Sequence, residues 1–511
     1  MRHFSSSQWR ASLLTLLWFL TVGLAVHVFA QSTGTGNIQG TVTDQAGAVK
    51  AGARITFTNE ATGATSQVMS SSAGVYSSGP IQPGNYAVRV EIKGFKTAEL
   101  TIPAVIGVAS NGNVTLQPGA ESEVIKSQVI EVAVNAVQAT VQGVLRGNQI
   151  DTLPVNGRSL SDLAQLEPGV QFQDGSTVDP SKNGFSAISF EGRFGRNSRT
   201  AVDGVDISDE TVGATTQNIP TSAIREFNLS QSTLDLPNGL TSSGAVNIST
   251  LSGGNALHGE GFGLFRGNEI AAALPGIKAP SFHREQFGGR AGGAITKDKL
   301  FWFLDAERST QDLMGAEPFS PPFNGLNTTL TQPFREFQTD GKLDWISPQH
   351  GHAFYRFLFD QNSQVRPYGA ASSLQAFKNE SHAPSHTFGY DFNRGSYTHS
   401  LRFEYLRFSN GIADSTASLG AGADNPIPGL GINIGAGVAG RCSLSEGGAY
   451  CAGPSDFAPR TMFQSDLQLK YDGSRVWGTH IVRFGAMINR IHGGGSSAFL
   501  TYPQVGTTSV C

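Results

Sequence analysis

Apolar and polar side chains alternate with a period of two residues through the second half of the chain. The alternation is cleanest at 336–345, where Phe337, Thr339, Leu343 and Trp345 share one face. The opposite face carries Glu336, Gln338, Asp340, Lys342 and Asp344. This is the period of a strand whose two faces meet different surroundings. Similar patterns predict strands near 257–266, 284–296, 299–309, 334–346, 352–362, 385–393, 396–409, 461–472 and 476–490.

The connections between these predicted strands alternate in length. The tight ones are Lys297-Asp298, 347–351, Arg394-Gly395 and 473–475, and the long ones are 267–283, 310–333, 363–384 and 410–460. Soluble β-sandwiches also alternate in polarity, so the periodicity alone does not separate the two classes. Short turns at one end and long loops at the other are typical of outer-membrane barrels. The connection lengths therefore predict a transmembrane barrel.

Composition supports a division of the chain into two halves. Residues 257–511 hold 22 of the 32 Phe, 8 of the 10 Tyr and 3 of the 5 Trp. Such enrichment fits the aromatic girdles of a membrane barrel. Only 15% of the 511 residues are charged, and the net charge is −4. No basic run is present, so we expect no nucleic-acid partner.

The first thirty residues have the features of a secretory signal. Arg2 and Arg10 precede an apolar stretch from Leu13 to about Phe29, and Ala30 ends it. We expect residues 1–30 to be a Sec-type signal peptide that is cleaved near Ala30. An uncleaved N-terminal anchor helix is the alternative. Beyond residue 30, no apolar run approaches the ~20 residues of a membrane helix.

Residues 36–118 are predicted to form a small β-sandwich. Tyr86, Val88, Val90 and Ile92 alternate with polar neighbours, and turn residues separate about seven such strands. The region resembles the carboxypeptidase regulatory-like domain, which implies a transthyretin-like, carbohydrate-binding-like fold without implying peptidase activity. The motifs that carry the resemblance include Gly40-Thr41-Val42-Thr43-Asp44, Gly74-Val75-Tyr76, Pro83-Gly84-Asn85-Tyr86 and Gly94-Phe95-Lys96.

Residues 136–253 resemble the plug domain of TonB-dependent outer-membrane receptors. Five motifs follow in the order of that family: Ile150 to Arg158 with Leu166 to Val170, Phe190-Glu191-Gly192-Arg193, Val202-Asp203-Gly204-Val205, Ile219-Pro220 with Ile224 to Phe227, and Gly244 to Ile248. Each motif alone is only a loop punctuated by glycine or proline. Together with the signal, the sandwich and the barrel at 257–511, they make the chain resemble TonB-dependent receptors of the Oar-like type.

The linker at 119–135 contains a candidate for the segment that pairs with TonB in this family. Val129, Ile130, Glu131, Val132 and Ala133 are similar to such a TonB box. An extended strand with unpaired backbone groups is what β-augmentation by TonB requires. A last strand of the sandwich, or a plain linker, is the alternative interpretation.

Nine strands cannot close a barrel around a plug. An odd count would make the first and last strands parallel neighbours, and plugged transporters have about 22 strands. The chain also ends at 507–511 without a terminal aromatic strand. We expect an incomplete barrel, and hence an N-terminal piece of a longer protein.

No catalytic constellation emerges, and we expect no enzyme activity and no cofactor. Gly435 to Gly440 matches the dinucleotide fingerprint, but we expect neither a strand before it nor a helix after it. His258 with Glu260, and His350 with His352, are pairs without a third ligand, so no metal site is predicted. The acidic cluster Asp203, Asp206, Asp209 and Glu210 lacks calcium-loop spacing and favours a loop-capping role.

Cys442 and Cys451 lie in the longest predicted outer loop, with eight residues between them. In an oxidising compartment we expect them to form a disulfide that restrains this loop. Two free thiols are the alternative.

The fold class expected is therefore mainly β: a sandwich, a plug and an incomplete antiparallel barrel in the outer membrane of a Gram-negative-type bacterium. The resemblance implies uptake of a scarce ligand, energised by TonB and its inner-membrane partners. The ligand stays open among a saccharide, a siderophore and a peptide. The alternative function is a carbohydrate-binding or adhesive surface protein for which the barrel is only an anchor.

Overall fold

The computed structural model is almost entirely β. It describes residues 34–120, 123–128, 141–153, 159–175, 179–182, 184–231, 241–269, 281–317, 319, 321–367, 374–416, 430–435, 450–454, 458–497 and 504–507. The signal segment 1–30 and the TonB-box candidate 129–133 lie outside these residues. Among the described residues, no helix is long and apolar enough to span a bilayer.

The N-terminal unit is the predicted sandwich of two sheets. Its first eight strands, β1–β8, are Asn37–Asp44, Arg54–Asn59, Thr65–Met69, Val75–Ser77, Gly84–Glu91, Thr97–Ala104, Ala109–Asn111 and Val114–Leu116. One sheet has the order β4-β1-β7, with β8 also paired to β1. The core between the sheets contains Ile38, Phe57, Tyr76 and Val88, all 0–1% exposed. The alternation that predicted strand 86–92 therefore marks its buried face.

A ninth strand, β9 (Val124–Gln128), extends the sandwich beyond the predicted boundary at residue 118. It pairs in parallel with β6, so the second sheet has the order β3-β2-β5-β6-β9. The first part of the predicted linker is thus a strand of the sandwich rather than a linker. The alternative interpretation of 129–133 is not tested, because that segment lies outside the described residues. The sheet keeps β3 at its opposite edge.

The middle of the chain forms a second unit, called the inner unit (residues 141–250). Its elements are β10 (Val141–Arg146), α1 (Gly147–Thr152), α2 (Leu160–Ala164), β11 (Val170–Asp174), β12 (Ser186–Phe190), β13 (Arg199–Val202), β14 (Val205–Asp206), β15 (Ile224–Gln231) and β16 (Gly244–Thr250). The main sheet has the order β10-β15-β16-β13-β14, and β11 pairs with β12. Every residue of β16 is buried, as expected for a strand covered on both faces.

The C-terminal half contains a continuous nine-stranded antiparallel sheet. Its strands are β17 (His258–Gly267), β18 (Phe282–Thr296), β19 (Leu300–Glu317), β20 (Thr328–Ser347), β21 (Gly351–Pro367), β22 (Ala376–Arg394), β23 (Tyr397–Asp414), β26 (Arg460–Trp477) and β27 (His480–Ser497). Each strand pairs with the next in this order. Among the described residues, the edge strands β17 and β27 do not pair with each other, so the barrel is not closed.

All nine strands lie where alternation predicts them, but most are longer at the long-loop end. The strand predicted at 299–309 continues to Glu317, and the one predicted from 334 begins at Thr328. Backbone hydrogen bonds between neighbouring strands continue there after the alternation of polar and apolar residues has ended. Because only the alternation can be recognised in the sequence, the predicted strands are too short. One predicted turn, at 473–475, is wrong: β26 runs to Trp477, and the chain turns at Gly478 with φ 59°.

The long connection between β23 and β26 carries two short strands, β24 (Gly431–Ile434) and β25 (Tyr450–Ala452). They form a three-stranded sheet with β28 (Gln504–Thr507), which pairs in parallel with β24. The expectation that no strand precedes the glycine-rich run at 435–440 is therefore wrong, because β24 ends at Ile434. Residues 436–440 lie outside the described residues.

Candidate functional site

The nine-stranded sheet has an inverted distribution of polarity. Many of its inward positions carry charged or amide side chains, yet these are buried; Asp305, Asp340, Arg356 and Glu404 are each 0% exposed. Its outward positions are apolar and exposed, among them Leu304, Phe337, Leu343, Trp345, Phe388, Leu401, Phe403, Leu467 and Leu469. The two faces predicted for 336–345 are confirmed. An apolar exterior with a polar interior is the pattern of a barrel wall in a membrane.

The inner unit covers this polar wall. One hydrophobic cluster joins inner-unit residues such as Phe185, Phe227 and Ile248 to Leu358 and Phe408 of the wall. The Phe185 and Phe408 rings meet edge to face, with centroids 5.5 Å apart. The wall therefore supplies a few apolar contacts among many polar ones. These few apolar residues position the inner unit against the wall. Each polar group around them must then find its own hydrogen-bond or ion-pair partner on the opposite surface.

The hairpin turn between β13 and β14 carries the densest set of polar contacts. Asp203 (φ 48°) and Gly204 (φ 96°) form a two-residue turn with both φ angles positive. Asp-Gly is the pair that such a turn favours, because aspartate tolerates and glycine readily adopts the left-handed region. The turn projects the Asp203 carboxylate toward the wall.

Four residues surround Asp203, and together the five are called the Asp203 cluster. Thr250 donates to its carboxylate from the backbone N–H (2.9 Å) and from Oγ1 (2.6 Å). From the wall, Arg356 Nη1 lies 3.0 Å and Lys342 Nζ 3.5 Å from Oδ2. Arg402 Nε donates to the Asp203 carbonyl oxygen at 2.9 Å. One residue of the inner unit is thereby held by three different wall strands.

Electrostatics keep the Asp203 carboxylate ionised. Burial by itself would raise its pKa, but Lys342, Arg356 and the two bonds from Thr250 outweigh burial and lower the pKa below its ordinary value. A carboxylate with a lowered pKa stabilises the folded state above the pKa of the unfolded chain, and this stabilisation is lost as the pH falls through the folded-state pKa. The cluster is therefore intact throughout the neutral range.

Of the other members of the predicted acidic cluster, Asp206 and Asp209 cap loops as expected, whereas Glu210 pairs with Arg199 at 2.6 Å. Asp206 accepts from the Ser208 N–H (2.9 Å), and Asp209 accepts from the Val212 N–H (2.9 Å). Asp209 also pairs with Lys182 at 3.1 Å, and the side chain of Lys182 is 1% exposed. Burial lowers the pKa of Lys182, and Asp209 opposes this shift. Lys182 Nζ also lies 3.9 Å from the centroid of the Phe408 ring on the wall.

Loop 217–222 of the inner unit forms a second contact with the wall. Gln217 Nε2 donates to the Leu358 carbonyl at 3.1 Å and also to the Ala383 carbonyl. The Asn218 N–H donates to Asp360 at 2.9 Å, and the Ser222 N–H donates to Glu307 at 3.0 Å. Paired acceptors on the wall thus satisfy most polar groups at the tip of the loop.

The sandwich contacts both the inner unit and the wall. Gln82 Nε2 lies 2.9 Å from both Asp344 Oδ1 and His352 Nε2, which flank the short turn between β20 and β21. Asn393 donates to the Ser78 carbonyl (3.1 Å), and Ser71 donates to the Gly478 carbonyl (2.7 Å). All these wall residues are near short turns. The sandwich therefore lies at the short-turn end of the sheet.

A buried carboxyl group connects the sandwich to the inner unit. Glu226 on β15, 5% exposed, accepts from the Ile106 N–H at 2.8 Å, and Asn228 donates to the Ile106 carbonyl at the same distance. Burial raises the pKa of Glu226 to about 7, although the Ile106 bond, Arg225 and Arg146 oppose this shift. This carboxyl group thus titrates near neutral pH.

The remaining predicted site residues have separate outcomes. Cys451 is disulfide-bonded, but Cys442 lies outside the described residues, so their pairing stays a prediction. His258 contacts the Ala256 carbonyl, and Glu260 pairs with Arg290. His350 lies in a turn rather than on a strand face. Within the described part of the chain, no three His, Cys, Asp or Glu residues are placed to hold a metal.

Comparison with known proteins agrees with this architecture. Residues 37–117 match the carboxypeptidase regulatory-like domain, and residues 249–322 and 315–507, together just over half of the chain, match the outer membrane beta barrel domain. The sheet with its apolar exterior defines an outer-membrane barrel protein. The chain belongs to the outer membrane beta barrel domain family.

One relative makes the resemblance more specific, and one solved structure shares the fold. The TonB-dependent transporter Oar of Myxococcus xanthus is 26% identical over 294 residues, which is 54% of this chain and 26% of Oar. The outer membrane transporter YddB from Escherichia coli superposes with a TM-score of 0.50 at 12% identity, over 69% of this chain and 48% of YddB. The predicted resemblance to TonB-dependent receptors is confirmed. The chain spans about a quarter of Oar and about half of YddB.

Replacing Asp203 by alanine should destabilise the contact between the inner unit and the wall. The change leaves Lys342 and Arg356 buried without their shared anion, at a cost of about 3–5 kcal/mol. Hydrogen exchange at the amides of Val202 and Val205 should accelerate accordingly. Adding Lys342→Met and Arg356→Met should recover much of the loss, because apolar replacements of a buried ion cluster are often tolerated. A loss of less than about 1 kcal/mol in the free energy of opening for Asp203→Ala alone would contradict a stabilising role for the Asp203 cluster.

Docking of the sandwich on the inner unit should weaken as the pH rises from about 4.5 to about 7. Glu226 binds its proton more tightly in the folded state, so the folded state loses stability across this interval. Hydrogen exchange at the Ile106 amide measures the opening. Glu226→Gln keeps an acceptor but cannot ionise, and should remove the pH dependence. An unchanged pH profile in this variant would exclude Glu226 as its source.

A charged side chain on the outward face should lower the free energy of unfolding by an amount that depends on its depth in the membrane. Leu401 and Tyr397 lie on the same outward face of β23 and are 36% and 37% exposed, but Tyr397 adjoins the short turn. Leu401→Arg should cost about 2–4 kcal/mol, and Tyr397→Arg about 0–1 kcal/mol. Urea unfolding from lipid vesicles measures both. Equal costs would contradict a membrane interface close to this short turn.

Proposed function

We propose that this chain is part of a TonB-dependent outer-membrane receptor that imports a scarce ligand. The observation that carries the proposal is the inner unit seated against the polar wall, where a pore would otherwise be lined by Asp305, Arg356 and Glu404. In this proposal the inner unit is the plug. A pore filled by a separately folded unit needs energy to open, and the relative Oar is named as a TonB-dependent transporter.

The contacts of the plug support a mechanism of controlled displacement. The Asp203 cluster and loop 217–222 use hydrogen bonds and ion pairs, which can exchange with water when the plug moves. Many wall positions opposite the plug are polar, so a displaced plug would leave a surface that water can wet. The ligand would then pass along this polar wall.

TonB is the proposed energy-coupling partner, acting through 129–133. This segment lies between β9 of the sandwich and β10, which is an edge strand of the plug sheet. A pull on the segment would therefore act directly on the edge of the plug sheet. The signal peptide is proposed to be removed near Ala30.

The position of the sandwich favours import over surface adhesion. It contacts residues at the short turns, such as His352, Asn393 and Gly478. Short turns face the periplasm in outer-membrane barrels. A sandwich on that side is not available to bind external surfaces, but it is well placed beside the segment that would meet TonB. The ligand stays open among a saccharide, a siderophore and a peptide.

The proposal predicts contact between residue 130 and TonB. Ile130→Cys should form a disulfide in cells with a TonB that carries cysteine in its pairing strand, and an exposed sandwich control, Asn111→Cys, should not. Replacing 129–133 by Gly-Ser-Gly-Ser-Gly keeps the tether length and should abolish proton-motive-force-dependent uptake while leaving surface binding of the ligand intact. Unchanged uptake would remove this segment as the coupling box.

A further inference from the structure

A groove runs along strand β3 of the sandwich. Two cavities of about 390 and 510 Å³ lie between β3 and the short turns of the nine-stranded sheet. Both are lined by Gln67 of β3 and by Asn393 beside the turn after β22, so they adjoin along the strand. Residues 64–71 line them almost without a break. Successive residues point to opposite faces of a strand, so a continuous run indicates that the groove follows the backbone edge. It is called the edge groove.

The backbone of β3 has unused hydrogen-bonding groups on this side. Among the residues that the structure describes, β3 is the last strand of its sheet and pairs only with β2. The Asn59 N–H donates to the Ala64 carbonyl, and the Ser70 N–H donates to the Ala53 carbonyl. Hydrogen-bonded and non-hydrogen-bonded pairs alternate along an antiparallel ladder. The residues of β3 between Ala64 and Ser70 therefore alternate between bonding to β2 and pointing away from it. Ser66 and Val68 bond to β2, whereas Thr65, Gln67 and Met69 direct their N–H and C=O groups into the groove.

The walls of the edge groove are mostly uncharged. Amide side chains such as Gln349 and Asn393 line it, together with Pro80 and Pro348. Asp391 also reaches it, but this carboxylate is neutralised by Arg402 at 2.8 Å. Arg54 lies at the other end and forms no ion pair within the described residues. The groove therefore suits an uncharged chain with one acidic group near Arg54.

We propose that the edge groove docks an extended peptide segment of a partner protein, which adds to β3 as a new edge strand. Main-chain bonds to Thr65, Gln67 and Met69 would provide affinity, and the cavities would select small uncharged side chains and one acidic residue opposite Arg54. A strand of about five residues, roughly 17 Å long, matches β3. The inference concerns the sandwich and does not depend on transport, so its failure would leave the proposed import function standing.

The test uses the full chain from residue 31 in detergent and the labelled peptide acetyl-STVEVTS-amide. Fluorescence anisotropy measures binding, and amide-resolved hydrogen exchange locates it. Exchange at Thr65, Gln67 and Met69 should slow at least tenfold with saturating peptide, whereas Ser66 and Val68, already bonded to β2, should change little. The absence of binding, or protection without this alternation, would overturn the proposal.

Matched variants separate backbone pairing from side-chain contacts. Gln67→Pro removes an outward N–H without removing a bond to β2, and should weaken binding at least tenfold. Gln67→Thr keeps the N–H and should bind like the original chain. Protection at Ser66 and Val68 confirms in each variant that β3 is still paired. Equal binding by Gln67→Pro would overturn the proposal.

The acidic position and rival occupants are tested in the same assay. Arg54→Gln should weaken the glutamate peptide several-fold but leave the glutamine peptide acetyl-STVQVTS-amide unchanged. Competition by maltoheptaose would assign the groove to a saccharide instead. Protection of β3 that rises with protein concentration in the absence of peptide would assign it to a second copy of this chain. Either result would overturn the peptide assignment.

Discussion

A charge that leaves water must find an opposite charge or enough hydrogen bonds, and this requirement governs how the plug meets the wall. Lys342, Arg356 and Arg402 come from three strands whose outer faces are apolar, so they can only point inward. There they lose water when the plug covers them. Asp203 compensates for two of these cations with its side chain and contacts the third through its carbonyl oxygen. The position of the plug is therefore specified by charge matching as well as by shape.

Much of this architecture could be predicted from the sequence, because it depends on local patterns. Alternation located the nine strands and correctly separated the two faces of β20, with Lys342 on the polar one. Asp203-Gly204 was recognisable as a turn. Segment boundaries were less certain, since hydrogen bonding between strands continues where polarity no longer alternates, as at Thr328 and Glu317.

The pairing of charges could not be predicted in the same way. The sequence places Lys342 on the polar face of its strand, but it does not show that Lys342 and Arg356 meet at Asp203, which precedes them by 139 and 153 residues. That contact depends on the register between strands and on the height at which the plug sits. β9 was missed for a related reason: Val124 and Ile125 suit an extended linker as well as a strand, and only the pairing with β6 distinguishes the two.

Arg402 belongs to a chain of contacts that links the plug, the wall and the sandwich. It contacts Asp203 of the plug and binds Asp391 with both outer nitrogens; Asp391 lies 3.6 Å from His352, and His352 contacts Gln82 of the sandwich. A substitution at any of these positions changes the charge or the hydrogen-bonding groups that its neighbours must provide. Related sequences should therefore show correlated drift at 82, 203, 352, 391 and 402, even though these residues are scattered over three units.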